Sequence, residues 1–222
     1  SHELKTPLNG ILGLLNIMLE KPTLDTELHK NLELCKHNSN LLLTTINSIL
    51  DVQHVRGKGF KLNPTETNLR EILEEIKSQF EFQTSQKKIS LETIIGEGVP
   101  ENIITDKARL LQIFSGLVAN AVKFTFKGGV KIQIENDPEN EDKLICSVED
   151  TGIGIKPEDQ SKLMNMYSNK LSRAQVQNLN RDMRHGIGLG LTVANYLSNR
   201  LNGNEDSLAV KSEVNVGSTF SF

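Results

Sequence analysis

The hydrophobic period is helical alone over the first part of this chain and alternates between helix and strand over the rest, which divides the chain in two. As far as Leu50, apolar residues recur at helical spacing. Leu4, Leu8, Ile11, Leu12, Leu15, Met18 and Leu19 form one stripe; Leu28, Leu32, Cys35, Leu42, Ile46, Ile49 and Leu50 form a second. Lys21-Pro22-Thr23-Leu24-Asp25-Thr26 separates them, with Pro22 as the stop and Asp25 or Thr26 as the cap of the second helix. Two amphipathic helices joined by a short turn make a helical hairpin. A lone hairpin leaves most of each stripe wet, whereas two hairpins pair into a four-helix bundle, so the pattern predicts a homodimer.

Arg56-Gly57-Lys58-Gly59 reads as a linker, which sets a first domain at 1–59 and a second at 60–222. In the second, Leu69 to Gln86 is helical in pattern, with Ile72, Leu73, Ile76 and Phe80 on one side. Ile89 to Ile95 reads as a strand and Lys107 to Phe124 as another helix. Val130 to Glu135 and Leu144 to Val148 alternate with period two, and Asn136 to Lys143 reads as the polar turn between them. Gly188 to Leu201 is helical in pattern, with Leu208 to Val210 and Thr219 to Phe222 as closing strands. The fold class is therefore α+β, with an α/β sandwich whose helices cover one sheet face. Ser168 to His185 lacks apolar periodicity between two glycine motifs and reads as a mobile lid. Ser1-His2 opens mid-helix and Phe222 closes inside an apolar strand, as in a piece of a longer protein.

Composition removes several classes of function. With 25 basic and 28 acidic residues and no basic block longer than two, nucleic acid is disfavoured as the main partner. No apolar run approaches the roughly 18–20 residues that span a bilayer, and Ser1 to Lys5, with His2, Glu3 and Lys5, is not expected to open a secretory leader. Cys35 and Cys146 stand far apart with no CxxC partner, which disfavours a disulfide scaffold or zinc site and suits a reducing, cytosol-facing compartment.

Several motifs carry chemistry. In Ser1-His2-Glu3-Leu4-Lys5-Thr6-Pro7-Leu8, His2 and Thr6 share a helix face, with Glu3 beside His2. An imidazole is a usable nucleophile at neutral pH if a carboxylate takes its proton. Pro7 costs about 3 kcal/mol inside a helix and marks a kink. On the helix ending at Phe124, Asn120 offers an amide oxygen to a hard cation such as magnesium, and Lys123 on the same face meets phosphate as a point charge. Asp150-Thr151-Gly152-Ile153-Gly154, after a strand, can aim a carboxylate at the exocyclic amine of adenine while Gly152 and Gly154 admit a ring; a plain tight turn would use the same residues. Gly186-Ile187-Gly188-Leu189-Gly190 opens a helix, where backbone N–H groups reach phosphate oxygens. No strand precedes it, so a dinucleotide fingerprint does not apply. Gly217-Ser218-Thr219-Phe220 is a small turn into the last strand.

Taken in this order, the motifs resemble the sensor histidine kinases along essentially the whole chain. The opening segment is especially similar to the phosphoacceptor segment of kinases fused to receiver domains, and Leu50-Asp51 resembles the end of their second hairpin helix. The resemblance implies a dimeric helical hairpin followed by the ATP-binding sandwich shared with gyrase-type ATPases. It implies His2 as phosphoacceptor, Glu3 as general base and Thr6 as the residue that orients water in receiver dephosphorylation. Asn120 would ligate Mg2+, Lys123 would contact phosphate and Asp150 would hold the adenine amine. Gly152, Gly154, Tyr167, Gly186, Gly188, Leu189, Gly190 and Thr219 would line the ATP. The implied partners are a second copy of the chain and a response-regulator receiver domain, in cis or in trans, with a sensor domain upstream. The implied place is the cytoplasmic side, with any membrane anchor outside this segment.

Two departures from the family pattern stand out. Gly116 occupies the position of a second Asn, four residues before Asn120, and Leu163-Met164-Asn165-Met166-Tyr167 replaces paired phenylalanines around a proline. They support an alternative reading: a catalytically weakened, ATP-binding dimeric signalling module or receiver phosphatase. A gyrase- or chaperone-type hydrolase places a Glu at position 116 to activate water, and this chain lacks it.

Overall fold

Asp25 starts the second helix of the hairpin through local hydrogen bonds. Its Oδ1 accepts from the Leu28 N–H at 2.8 Å and its carbonyl from the His29 N–H at 2.9 Å. The structure, a computed structural model, describes residues 2–20, 25, 27–36, 39, 42, 61–167, 189–203 and 208–222. It divides into two compact units, Ser1–Phe60 and Lys61–Phe222.

In the first unit, α1 spans His2–Leu19 with Pro7 inside it, and residues 27–36, 39 and 42 are helical (α2). Leu8 and Leu15 are buried, whereas Ile11, Leu14, Ile17 and Met18 on α1 and Leu28, Leu34 and Leu42 on α2 are exposed. The hairpin thus covers only part of each stripe. Thr26, the helical pattern from Ile46 to Leu50 and the glycine linker lie outside the described residues.

The second unit runs β1 (Thr65–Asn68), α3 (Leu69–Lys87), β2 (Ser90–Ile95), β3 (Asn102–Thr105), α4 (Lys107–Phe124), β4 (Gly129–Asp137), β5 (Asn140–Asp150), α5 (Pro157–Tyr167), α6 (Leu189–Leu201), β6 (Ala209–Glu213) and β7 (Gly217–Ser221). Asn68 caps α3 by accepting from the Arg70 and Glu71 N–H groups, and Asp106 caps α4 by accepting from the Arg109 N–H. Lys88 turns the chain out of α3 with φ 56°, and its N–H bonds back to the Ser85 carbonyl.

The main sheet has the order β2-β4-β5-β7-β6, with β2 and β4 parallel and the other neighbours antiparallel. Its buried positions alternate. Val130, Ile132 and Ile134 of β4, Cys146 and Val148 of β5 and Phe220 of β7 are all buried. The helices bury Ile76 and Phe80 of α3, Ile113, Phe114 and Leu117 of α4, and Ala194 and Leu197 of α6. Each buried Val, Leu, Ile or Phe among these contributes about 1.5–3 kcal/mol by leaving water. Lys131 and Glu149 stand on the opposite, wet face and pair at 2.5 Å.

Three features differ from the sequence expectation. Most of the polar stretch 136–143 is strand, because β4 and β5 keep pairing to Asp137↔Asn140 across a register irregularity, leaving only Pro138 and Glu139 as the turn. The antiparallel pair β1–β3 forms a separate two-stranded sheet from four-residue strands too short to show an alternation. Residues 157–167, given no element by the sequence pattern and read only at 163–167 as an altered aromatic segment, form the helix α5.

Candidate functional site

Strand alternation places Asp150, the last residue of β5, on the same face as Val148 and Cys146. It is only 7% exposed. Its Oδ1 accepts from the Gly152 N–H at 2.8 Å, and the carboxylate also accepts from the backbone N–H of Ser218 on the neighbouring strand. Burial pushes the carboxyl pKa above the ordinary aspartate value; the two N–H donors pull it back, and Glu149 adds to the rise. The result is a desolvated acceptor held by backbone at a strand end.

The following turn is tightly built. A side chain at position 152 would begin 2.6 Å from the Phe124 carbonyl oxygen and 2.7 Å from Asp150 Oδ1, so only glycine lets the turn sit on the end of α4. Gly154 adopts φ +66°, and a Cβ there would overlap the Glu213 carbonyl. Thr151 Oγ1 donates to the Lys127 carbonyl at 2.9 Å and accepts from the Gly129 N–H at 3.0 Å. The Ile155 N–H donates to Ser212 Oγ at 2.8 Å, and Gln160 Nε2 donates to the Ile155 carbonyl at 2.7 Å and the Ser212 carbonyl at 2.8 Å.

Asn120 and Lys123 lie near the C-terminal end of α4, whose last carbonyl, that of Phe124, accepts from the Ile153 N–H of this turn at 3.4 Å. Asn120 is half-buried; Lys123 is exposed, with Nζ 5.0 Å from the Phe124 ring centroid. At the other end of the site, Gly190 in the first turn of α6 packs against Gly116 of α4. The structure therefore brings Asp150 and Gly152 onto the C-terminal end of α4, and the start of α6 onto the middle of the same helix. Leu189 begins α6 and Tyr167 ends α5, but the side chains of both lie outside the description, as do Gly186, Gly188 and the whole stretch expected to be a lid.

Thr219, expected to line ATP, pairs with Glu149 and Lys211, so its side chain lies on the wet face of the sheet, the face opposite Asp150. Ser218, paired with Asp150, occupies the place expected for Thr219. The signal was present in Gly217-Ser218-Thr219-Phe220: a buried Phe220 two residues on implies an inward Ser218. Ser212 and Gln160, which pin the turn, carry no sequence signal, because they meet it only through the fold.

In the other unit, His2, Glu3 and Thr6 all fall within α1, with Thr6 exposed; the side chains of His2 and Glu3 are outside the description. Among the described residues no three His, Cys, Asp or Glu side chains converge into a metal cluster. The half-buried Asn120 suits a cation that takes one protein oxygen and fills its remaining positions with phosphate and water.

Residues 105–222 match the model of the Histidine kinase-, DNA gyrase B-, and HSP90-like ATPase, and residues 1–57 match the His Kinase A (phospho-acceptor) domain. Among curated proteins, the chain is 35% identical over 225 residues to the signal transduction histidine-protein kinase BarA of Escherichia coli K12, covering all of this chain and 23% of that protein. It is 33% identical to hybrid signal transduction histidine kinase B of Dictyostelium discoideum, covering all of this chain and 11% of that protein. The chain thus spans about a quarter or less of these relatives. Among solved structures it is similar to full-length ShkA in complex with AMPPNP, with TM-score 0.64 and 25% identity over all of this chain and 43% of that one. The Acinetobacter baumannii histidine kinase AdeS shares the fold, with TM-score 0.56 and 22% identity over all of this chain and 95% of that one.

Proposed function

Because the chain belongs to the sensor histidine kinases, with a phospho-acceptor domain ahead of a gyrase- and HSP90-like ATPase domain, we propose that it phosphorylates its own His2 from ATP. The observation that carries this reading is the Asp150 carboxylate, buried at a strand end and held by the N–H groups of Gly152 and Ser218. Such an acceptor suits the exocyclic amine of adenine and leaves guanine without a partner.

The residues divide the work. Asp150 and the glycine turn orient the base, while Lys123 and the N–H groups at the start of α6 meet the phosphates. Asn120 would hold Mg2+, which supplies charge neutralisation of the phosphates when bound. A ring nitrogen of His2 attacks the γ-phosphorus; the N–P bond forms as the bond to the ADP oxygen breaks, and Glu3 takes the ring proton. An aspartate of a receiver domain, in cis or in trans, then accepts the phosphoryl group, and Thr6 orients the water that hydrolyses the receiver's acyl phosphate to inorganic phosphate when the chain acts as a phosphatase.

The exposed apolar stripe of Ile11, Leu14, Ile17 and Met18 supports a homodimer through the hairpin. No described helix is long and apolar enough to cross a membrane, and the cysteines are free. A cytoplasmic site of action supplies the ATP this chemistry consumes.

The test is incubation with γ-labelled ATP and magnesium beside His2→Gln. Acid-labile label present in the parent and absent in the variant supports the kinase. Measurable nucleotide binding with no label sinks autophosphorylation and leaves a nucleotide-binding signalling module.

A further inference from the structure

The last carbonyls of a helix lack intrahelical partners and carry partial negative charge. In α4 this end is also the functional end, since it bears Lys123 and abuts the Asp150 turn. Lys87, the final residue of α3, reaches into it from 35 residues away in sequence. Its Nζ donates to the carbonyls of Val122 at 2.5 Å, Lys123 at 2.9 Å and Thr125 at 3.2 Å. An ammonium has three N–H groups, and here each has a carbonyl. The same Nζ lies 5.0 Å from the centroid of the Phe126 ring, and burial lowers the Lys87 pKa from the usual lysine value.

The neighbouring carbonyls of this stretch go to the turn instead. Phe124 accepts from the Ile153 N–H at 3.4 Å, Gly129 from the Thr151 N–H at 3.1 Å, and Lys127 from Thr151 Oγ1 at 2.9 Å. One short segment is therefore held on one side by a single cation and on the other by the turn that carries Asp150.

We propose that Lys87 is a positioning residue for the nucleotide site. By gathering the carbonyls of Val122, Lys123 and Thr125, it holds the end of α4 where Phe124, Lys127 and Gly129 can receive the turn from Asp150 to Ile153. The proposal rests on the nucleotide reading above and adds a residue from outside every motif that suggested it. A simple helix cap would stabilise the domain as a whole; a positioning residue acts on this turn in particular.

The test uses the whole chain with Lys87→Met, which keeps the aliphatic stem and removes the cation, and Lys87→Arg, which keeps a cation. Without nucleotide, amide hydrogen exchange is compared at Gly129, Thr151 and Ile153 against Ile132 and Val148 in the strands. The expected result for the Met variant is exchange about tenfold faster at the first group and unchanged at the second, with Arg restoring protection. Adenosine affinity measured by calorimetry is expected to fall about tenfold in the Met variant and recover in the Arg variant. Uniform acceleration across both groups, or no change in either, overturns the proposal and leaves Lys87 as a helix cap. A parent chain that binds no adenosine overturns the nucleotide reading instead, and the exchange measurement still decides the role of Lys87.

Discussion

Gly116 of α4 and Gly190 of α6 meet backbone to backbone. A Cβ on Gly116 would stand 3.1 Å from the Gly190 carbonyl oxygen, whereas a Cβ on Gly190 would stand 3.6 Å from the Gly116 oxygen. The departure at Gly116 therefore has a packing counterpart. Where the family places an amide side chain, this chain seats the first turn of α6 directly on α4.

Substitutions at Gly116 should separate two opposing effects. Gly116→Ala gains about 1 kcal/mol of helix propensity and needs the Gly190 carbonyl to give by a few tenths of an ångström. Its denaturant midpoint should change little. Gly116→Val adds bulk against backbone and should destabilise by about 1–3 kcal/mol. Equal midpoints for Val and Ala would show that the two helices do not press together here.

Asp150→Asn should lose adenosine and ATP binding while keeping the fold, read by calorimetry and thermal denaturation. Burial raises the Asp150 pKa, so the parent gives up stability as pH rises through that value, and the Asn variant does not. The melting temperature of the variant relative to the parent should therefore increase from acid to neutral pH. A difference independent of pH would mean that the carboxyl is better solvated than its 7% exposure implies.

Gly152→Ala forces a methyl to within 3 Å of the Phe124 carbonyl oxygen, which is backbone, and of Asp150 Oδ1, which the Gly152 N–H holds. The turn has to move. An apo destabilisation of about 1–3 kcal/mol and at least a tenfold loss of adenosine affinity, about 1.4 kcal/mol, are expected. Wild-type affinity in this variant would place the base elsewhere.

Replacing Leu14 and Ile17 by Glu puts charge on two positions that are 60% and 61% exposed in the single chain. The double variant should elute as a folded monomer in light-scattering chromatography, with unchanged helix content. A persisting dimer would move the interface off this face of α1.

How legible the chain was depended on the range of the cause. The bounds of α4, Lys107 to Phe124, follow from Asp106 as a cap and from a helical apolar stripe, all within about one turn of where they act. The start of α3 after Asn68 has the same local origin. The polar stretch 136–143 misled because its strand character comes from the partner strand: backbone pairing satisfies the same N–H and C=O groups whatever the side chains are.

The sequence alone determined the two-part plan, the helical hairpin and the order of the motifs, and it singled out Asp150 as the carboxylate proposed to meet a nucleotide. Each of these is written in periodicity or in residues adjacent along the chain. The tertiary structure decided that Ser218 rather than Thr219 meets Asp150, because register sets which face each residue joins. It also decided that Gly116 seats Gly190 and that Lys87 gathers the carbonyls ending α4. The physical reason is common to the three cases. Backbone groups dominate the contacts, every residue carries the same backbone, and only the folded path of the chain selects which of them meet.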